Sequence, residues 1–311
     1  MQGTIAITDH GWYDTLRRQH LDEVNFWKPS AARGFRAPEF SPFLFKLRAP
    51  HNAVCGVAFF ARYSKLPAWL AWQSFGIANG TSSFGELRER IAGIRDRIRF
   101  AGDDQAEIGC ILLVQPVFFA PDEWIPAPFD WPVRTQSYIH YDLSIGEGAR
   151  VWQACLERLS RRLDRMAPGA SDVIEPWEQR HGHPQIVHPR LGQGTFRIAV
   201  MDAYDRACAV TGEHSLPALE AAHIRPFEEG GPHAVANGLF LRADVHRLFD
   251  QGYISVRPDL KIEVSDRLRQ DYQNGKSYYP FRDQQLQLPR DARERPSTTF
   301  LEWHRDCRYL G

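Results

Sequence analysis

Short apolar runs in the first 145 residues predict a sheet with small helices packed around it. A short apolar run at 43–47, broken by Lys46, and a longer run at 53–63, rich in Val and Phe, predict strands, and the segment Ala-Pro-His-Asn between them predicts a turn. A continuous apolar run at 108–119 predicts a third, buried strand. The proline-rich stretch that follows predicts an ordered loop. This pattern favours a mixed α and β fold for the first part of the chain.

Apolar residues at helical spacing predict three helices in the same part of the chain. The first covers 67–75 and the third covers 149–166. The second follows Thr81 or Ser82, either of which could cap it. Its predicted apolar face is formed by Phe84, Leu87, Ile91, Ile94 and Ile98. Residues 167–190 are rich in Pro, Gly and His, which is typical of a linker, so we place the domain boundary there.

The residues after this boundary predict a helix, two strands and a second helix, with polar residues at fixed places. The apolar run at 216–224 ends at His223, and a glycine-rich turn leads to a second strand that starts at Asn237. His246 falls at the start of the helix that follows. Thirteen residues separate His223 from Asn237, and eight separate Asn237 from His246. A neutral histidine can accept a proton near pH 7 and can bind a metal, so the pattern is compatible with hydrolysis.

This strand, loop, strand and helix resemble the HNH endonucleases, whose core is two strands and a helix around one divalent metal ion. The resemblance covers about 189–264 and includes Cys-x-x-Thr-Gly at 208–212 and His-Arg-Leu-Phe-Asp at 246–250. It implies that His223 is the general base that takes a proton from water. It also implies that Asn237 braces the loop that positions His223, and that His246 binds the metal.

One metal ligand stays open within this resemblance. Many members of the superfamily have an acid or a histidine directly before the base, where this chain has Ala222. Glu220 would share the strand face of residue 222, and Asp250 follows His246 by one helical turn. Either carboxylate could complete the site, and we favour Glu220. We expect one Mg²⁺ or Mn²⁺ ion per active site. His233, in the glycine-rich turn, is assigned no role.

Length and composition describe a folded chain of about two domains. Of the 311 residues, 43% are hydrophobic and 24% are charged, which excludes a disordered or collagen-like chain. No apolar run approaches the ~20 residues needed to cross a bilayer, and the first ten residues lack the features of a signal peptide. The five cysteines form no C-x-x-C pair. We therefore expect a cytoplasmic protein with no membrane partner.

Local charge adds a candidate nucleic-acid surface, although the formal net charge is zero. Between residues 24 and 65 there are seven basic residues and one acidic residue, with aromatic residues among them. Basic groups hold a nucleic-acid backbone and aromatic rings stack on bases, but the same mixture also occurs as a solvated rim around an aromatic core. The residues expected to contact the DNA backbone are Lys28, Arg33, Arg36, Arg225 and Arg247.

Three segments of the first part resemble the PUA-like superfamily, particularly its EVE and YTH branches. They are Asn-Phe-Trp-Lys-Pro-Ser at 25–30, Pro-Phe-Leu-Phe-Lys at 42–46 and Ala-Val-Cys-Gly-Val-Ala-Phe-Phe at 53–60. The resemblance covers about 20–120. Members of these branches place a tryptophan after the first strand and bind a modified base in an aromatic pocket, sometimes after flipping it from a duplex.

The resemblance implies a base-binding pocket around Trp27. An extruded base needs aromatic faces to stack on and polar groups that recognise its edge. Trp69 or Trp72 would form the opposite wall, and Asn25 or Ser30 would contact the base edge. Trp69 and Trp72 could instead be core residues of their helix.

These patterns predict an α+β protein with a PUA-like curved sheet or barrel and a ββα-metal nuclease domain. The expected parts are a modified-base recognition domain at 1–148, a linker helix and loop at 149–188, an HNH nuclease domain at 189–275 and a tail at 276–311 packed on it. The predicted function is metal-dependent hydrolysis of double-stranded DNA that carries a modified base. The alternatives are an HNH nuclease that recognises unmodified sequence or RNA, and a non-catalytic reader of modified nucleic acid. A single HNH site cuts one strand per visit, so double-strand cleavage would favour a homodimer.

Overall fold

The computed structural model describes residues 1–98, 106–132, 134–135, 137–166, 191–273 and 275–311. The chain divides into two compact units, Met1–Pro189 and Arg190–Gly311. Both units contain helices and strands, so the predicted α+β fold class is confirmed. The predicted linker loop that precedes the second unit lies outside the described residues.

Seven strands form the sheet of the first unit: β1 (Gln2–Thr8), β2 (Glu23–Lys28), β3 (Pro42–Leu47), β4 (Ala53–Leu66), β5 (Ile108–Phe118), β6 (Ile125–Pro126) and β7 (Tyr138–Asp142). Their order is β2-β5-β4-β3-β1-β7, and β6 pairs with β4. β1 and β3 are parallel, and the other neighbours are antiparallel. The predicted strands at 43–47, 53–63 and 108–119 are therefore confirmed. Two register irregularities between β4 and β5 bend the long strand β4 and curve the sheet.

Both faces of this sheet are buried, and β3 contributes apolar side chains to each of them. Phe43 and Phe45 pack in a cluster with Trp12, which lies on α1 (His10–Leu16). Leu44 belongs to the opposite cluster, with Val151 on α4 (Gly146–Met166). Apolar burial on both sides stabilises the sheet as the scaffold of this unit.

Two further helices of the first unit are α2 (Ala68–Phe75) and α3 (Phe84–Arg97). The prediction of Thr81 or Ser82 as the cap of α3 is wrong, since the Oγ of Ser83 accepts a hydrogen bond from the N–H of Glu86 at 3.2 Å. The predicted apolar face also ends earlier than expected. Ile98 is the exposed C-cap residue, whereas Arg95 is buried and donates hydrogen bonds to the main-chain oxygens of Pro29 and Ala106.

The second unit contains two short hairpins surrounded by helices. Its strands are β8 (Leu219–His223), β9 (Gly238–Arg242), β10 (Ile254–Val256) and β11 (Ile262–Val264). Its helices are α5 (Gln193–Ala203), α6 (Ala243–Asp250), α7 (Arg267–Tyr272) and α8 (Thr298–Cys307). β8 pairs with β9, and β10 pairs with β11, both antiparallel. Across the described ranges of both units, every helix is too short or too polar to cross a membrane.

Candidate active site

The β8–β9 hairpin and helix α6 bring the predicted polar residues to one place. His223, at the end of β8, is the cross-strand partner of Gly238, which begins β9. A Cβ atom at Gly238 would collide with the side chain of Val200 on α5. The glycine therefore lets α5 pack directly on the hairpin, and this brings the ring of Phe196 against His223.

Asn237 ties the loop after β8 to the start of β9. Its side chain is fully buried, and its Oδ1 accepts a hydrogen bond from the N–H of Arg225 at 2.9 Å. Its Nδ2 donates to the main-chain oxygens of Arg225 and Pro232, both at 2.9 Å. One amide group thus holds both ends of the loop that follows His223. These contacts are those that a bracing residue would make.

His223 is held by a ring on one side and by a second histidine at its edge. Phe196 stacks on the imidazole with the ring centroids 3.9 Å apart and an interplanar angle of 11°. Its Nε2 lies 2.9 Å from Nδ1 of His233. Burial, followed by the influence of His233, lowers the pKa of His223 to about 4. The imidazole is therefore neutral at pH 7, as a proton acceptor must be.

His246 lies between two carboxylates that approach different nitrogens of its ring. Its Nδ1 is 2.7 Å from Oε2 of Glu220 on β8. Its Nε2 is 3.3 Å from Oδ2 of Asp250, one turn later on α6. The side chain of Ala222 is completely buried, so the position directly before the candidate base faces the protein interior.

A cleft of about 610 Å³ opens over these residues. Its lining includes His223, His233, His246 and Asp250, but Glu220 does not border it. Asp250 and His246 therefore line the same cleft as the candidate base, whereas Glu220 contacts Nδ1 of His246. The geometry favours Asp250 over Glu220 as the second ligand, against the preference drawn from strand alternation.

His246 and Asp250 can hold a divalent ion that takes its remaining ligands from water and phosphate. Within the part of the chain that the structure describes, no group of three or more His, Cys, Asp or Glu side chains is arranged to hold one ion. Mg²⁺ usually takes one or two protein ligands and completes its shell with water and phosphate oxygens. His246 and Asp250 would supply these two protein ligands. His246, Asp250 and Glu220 together are not arranged around one point, so a site with all three ligands is not formed.

Helix α8 lies in the tail that was predicted to pack on the nuclease domain, and it contacts α6 through His304, a residue that the sequence did not single out. His304 is 2% exposed, and its Nε2 lies 3.1 Å from the main-chain oxygen of Phe249. Its Nδ1 lies 2.9 Å from the Oγ of Ser255, and its ring stacks on Phe249. Burial lowers the pKa of His304 to about 4. The end of the helix that carries His246 and Asp250 is therefore fixed by a neutral, fully bonded imidazole.

Cys208 attaches the Cys-x-x-Thr-Gly turn to the β8–β9 hairpin. Its side chain is fully buried, and its Sγ accepts hydrogen bonds from the N–H groups of Thr211 at 3.4 Å and Arg242 at 3.2 Å. The Cys-x-x-Thr-Gly turn is thereby attached to the end of β9.

The two arginines of the second unit that were predicted to contact DNA differ in their surroundings. Arg225 donates from Nε to the main-chain oxygen of Glu229 at 2.7 Å, and its guanidinium lies 5.5 Å from the ring centroid of Trp303. Arg247 is exposed on α6. Arg247 is thus the one of the two whose side chain extends into solvent.

The structure places the five predicted pocket residues in β2, in the loop after it and in α2. Trp27 lies within β2, and its Nε1 donates to the main-chain oxygen of Asn79 at 3.0 Å. Asn25 is fully buried and donates from Nδ2 to Oδ1 of Asn79 at 2.9 Å. Trp69 lines a separate cleft between α2 and α3, and among the described residues Trp27 makes no ring contact with Trp69 or Trp72.

The remaining predicted contacts of this unit lie in and beside the loop after β2. The Oγ of Ser30 accepts from the N–H of Ala32 at 3.2 Å. Lys28 donates from Nζ to the main-chain oxygen of Arg33 at 2.6 Å. The side chains of Arg33 and Arg36 are exposed. Two of the three predicted phosphate contacts are therefore oriented to solvent.

Residues 208–257 match the family model described as HNH endonuclease. This range contains the Cys-x-x-Thr-Gly turn, the β8–β9 hairpin and helix α6. The predicted HNH endonuclease domain in the C-terminal half is therefore confirmed. No curated protein matches the chain.

Two solved structures are similar to the chain at low identity. The ASCH protein from Zymomonas mobilis is 12% identical and has a TM-score of 0.35, with 49% of this chain and 94% of that chain covered. A structure described as the modification-dependent TagI restriction endonuclease is 14% identical and has a TM-score of 0.28, with 98% of this chain and 81% of that chain covered.

Proposed function

We propose that this chain is a metal-dependent endonuclease that hydrolyses DNA carrying a modified base. The observation that supports nuclease activity most strongly is the position of His223 and His246 on one cleft of an HNH domain. A neutral base and a metal-binding histidine on one cleft are the two parts that metal-assisted phosphodiester hydrolysis requires.

His223 acts as the general base in this proposal. It takes a proton from a water molecule, the water oxygen forms a bond to phosphorus, and the bond from phosphorus to the leaving oxygen breaks. Burial keeps His223 neutral at pH 7, and Phe196 prevents the ring from tilting. Asn237 holds the loop beyond His223, so the base keeps its position while the DNA is bound.

His246 and Asp250 hold the divalent ion in this proposal. The bound ion, Mg²⁺ or Mn²⁺, stabilises negative charge on the phosphate. Glu220 orients His246 by accepting a hydrogen bond from Nδ1, which leaves Nε2 for the metal. A carboxylate that holds the second nitrogen of a metal-binding histidine is a common arrangement in metalloproteins.

The proposed recognition of a modified base rests on the sequence resemblance of the first unit. The segments at 25–30, 42–46 and 53–60 are similar to domains that bind modified bases. In this proposal the first unit selects the DNA, and exposed basic side chains such as Arg33 and Arg36 contact its backbone.

A plasmid assay tests the proposal and separates it from its alternatives. Modified and unmodified plasmids are incubated with the full chain and either Mg²⁺, Mn²⁺ or EDTA, with His223→Ala as the control for a contaminating nuclease. The proposal predicts metal-dependent cleavage of modified plasmid alone. Equal cleavage of both plasmids would indicate recognition of unmodified sequence. Binding of modified DNA without cleavage under any condition would indicate a non-catalytic reader.

A further inference from the structure

His233 has a specific partner that its place in a glycine-rich turn does not suggest. Its Nδ1 lies 2.9 Å from Nε2 of His223. Its own ring stacks on Phe227, with centroids 4.7 Å apart and an interplanar angle of 6°. The two imidazoles therefore form a hydrogen-bonded pair, and each has an aromatic ring packed on it.

The conformation of the loop between His223 and His233 brings the two histidines together. Gly230 has a φ of +83°, and a Cβ atom at Gly231 would collide with the main-chain oxygen of Arg225. Asn237 donates a hydrogen bond to the main-chain oxygen of Pro232, directly before His233. The same asparagine that holds the residues after His223 thus also holds the residue before His233.

We propose that His233 is a positioning residue that fixes the tautomer of His223. His233 accepts a hydrogen bond from Nε2–H of His223, so the lone pair of His223 lies on Nδ1. In the described part of the chain, Nδ1 of His223 has no protein partner, and it is the nitrogen that would take the proton from water. This inference rests on the proposed nuclease function.

The direction of the hydrogen bond follows from the reaction. After His223 takes a proton it has N–H groups on both nitrogens and can only donate. A hydrogen bond in which His233 accepts therefore survives the proton transfer. A hydrogen bond in which His233 donates would leave the proton on Nδ1 of His223 and block the base.

Other charged groups around the pair affect the proton affinity of His223 but do not select its tautomer. Glu228 favours the charged form of His223, whereas His246 disfavours it. Glu229, Asp250 and Arg308 line the same cleft. Only the ring of His233 lies within hydrogen-bonding distance of a ring nitrogen of His223 among the described residues.

The test compares His233→Ala, His233→Asp and the control His214→Ala in plasmid cleavage by the full chain. His214 is an exposed histidine of the same unit. His233→Ala should lower kcat by about 10–100-fold with little change in KM, as is usual when an orienting hydrogen bond is lost. His233→Asp keeps an acceptor and adds negative charge, so the acid limb of its pH–rate profile should move to higher pH. His214→Ala should match the parent.

A second measurement does not depend on activity. Nitrogen-15 NMR of the parent with labelled histidine reports which nitrogen of each imidazole carries the proton, and His223→Ala assigns the signal. The proposal expects His223 with its proton on Nε2. A proton on Nδ1 in the parent, or a folded His233→Ala that keeps the parent's kcat and pH profile, would overturn it. A parent that cleaves no plasmid refutes the nuclease proposal instead, while the NMR result still decides the tautomer.

Discussion

Glu220 and His246 are joined across the hairpin, with Oε2 of Glu220 2.7 Å from Nδ1 of His246. This contact occupies one imidazole nitrogen and directs the other towards Asp250. A histidine held in this way presents a fixed lone pair to a metal, so the carboxylate influences metal binding without being a ligand.

The roles of Glu220 and Asp250 can be separated with conservative amides. Glu220→Gln keeps an oxygen that can accept from His246, so the metal concentration for half-maximal cleavage should rise by no more than about threefold. Asp250→Asn replaces a carboxylate with a weaker ligand, so the same concentration should rise by about tenfold or more. Calorimetric titration with Mn²⁺ should give the same order. The reverse order in both measurements would make Glu220 the ligand.

The loop brace is tested by Asn237→Asp. The carboxylate keeps the acceptor for the N–H of Arg225 but loses both donors, and it faces the main-chain oxygens of Arg225 and Pro232. Urea unfolding should show a loss of about 1–3 kcal/mol in the free energy of unfolding. The kcat should fall, while metal affinity should stay near that of the parent because His246 and Asp250 lie on α6. A folded variant with the parent's kcat would show that Asn237 does not position the base.

Acid should destabilise the second unit through its buried histidines. The pKa of His304 is lowered to about 4 in the folded chain. The unfolded value is about 6.5, so the unfolded chain binds more protons between these two values. The free energy of unfolding should therefore fall as the pH drops from about 6.5 towards 4, by up to about 3 kcal/mol for this group.

His304→Gln removes that titration and serves as the comparison. Urea unfolding of this variant should show a shallower loss of stability with decreasing pH than the parent. His223 contributes in the same direction in both proteins, so some slope remains. Equal slopes for parent and variant would mean that His304 is not held neutral by burial.

The base-binding pocket is tested by Trp27→Ala with Trp69→Ala as the matched control. If Trp27 stacks on the modified base, its loss should reduce the preference for modified over plain duplex by about 1–3 kcal/mol. Weak, salt-sensitive binding through phosphate contacts should remain. Trp69 lines a different cleft, so its variant should keep the preference. Loss of the preference in Trp69→Ala alone would move the pocket to the cleft between α2 and α3.

The HNH domain was predictable because its parts are close together in the sequence. The spacing of His223, Asn237 and His246 corresponds to two adjacent strands and the helix after them, so local pattern was sufficient. The position of Glu220 was not predictable in the same way. Alternation along a strand indicates a face, but it does not indicate that a long side chain reaches the next helix.

Contacts that depend on the path of a loop or on distant segments were missed. The ring of His233 reaches His223 only because the turn at 230–231 reverses the chain, and the sequence marks the turn but not its direction. His304, on α8, contacts the main-chain oxygen of Phe249 on α6, and the two residues are 55 positions apart in the sequence. In the first unit, the predicted pocket joined residues of β2 and α2 by analogy, because the sequence does not show which faces of the two elements meet.

Plasmid cleavage by the parent chain and by His223→Ala, with Mg²⁺ or Mn²⁺ present, tests the catalytic role of His223 most directly. Loss of the proton acceptor should slow cleavage by about 10²–10⁴-fold. DNA binding should remain near that of the parent, because the exposed basic side chains are unchanged, and the melting temperature is measured alongside to show that the variant is folded. A folded His223→Ala protein that cuts plasmid at the parent's rate would contradict this account.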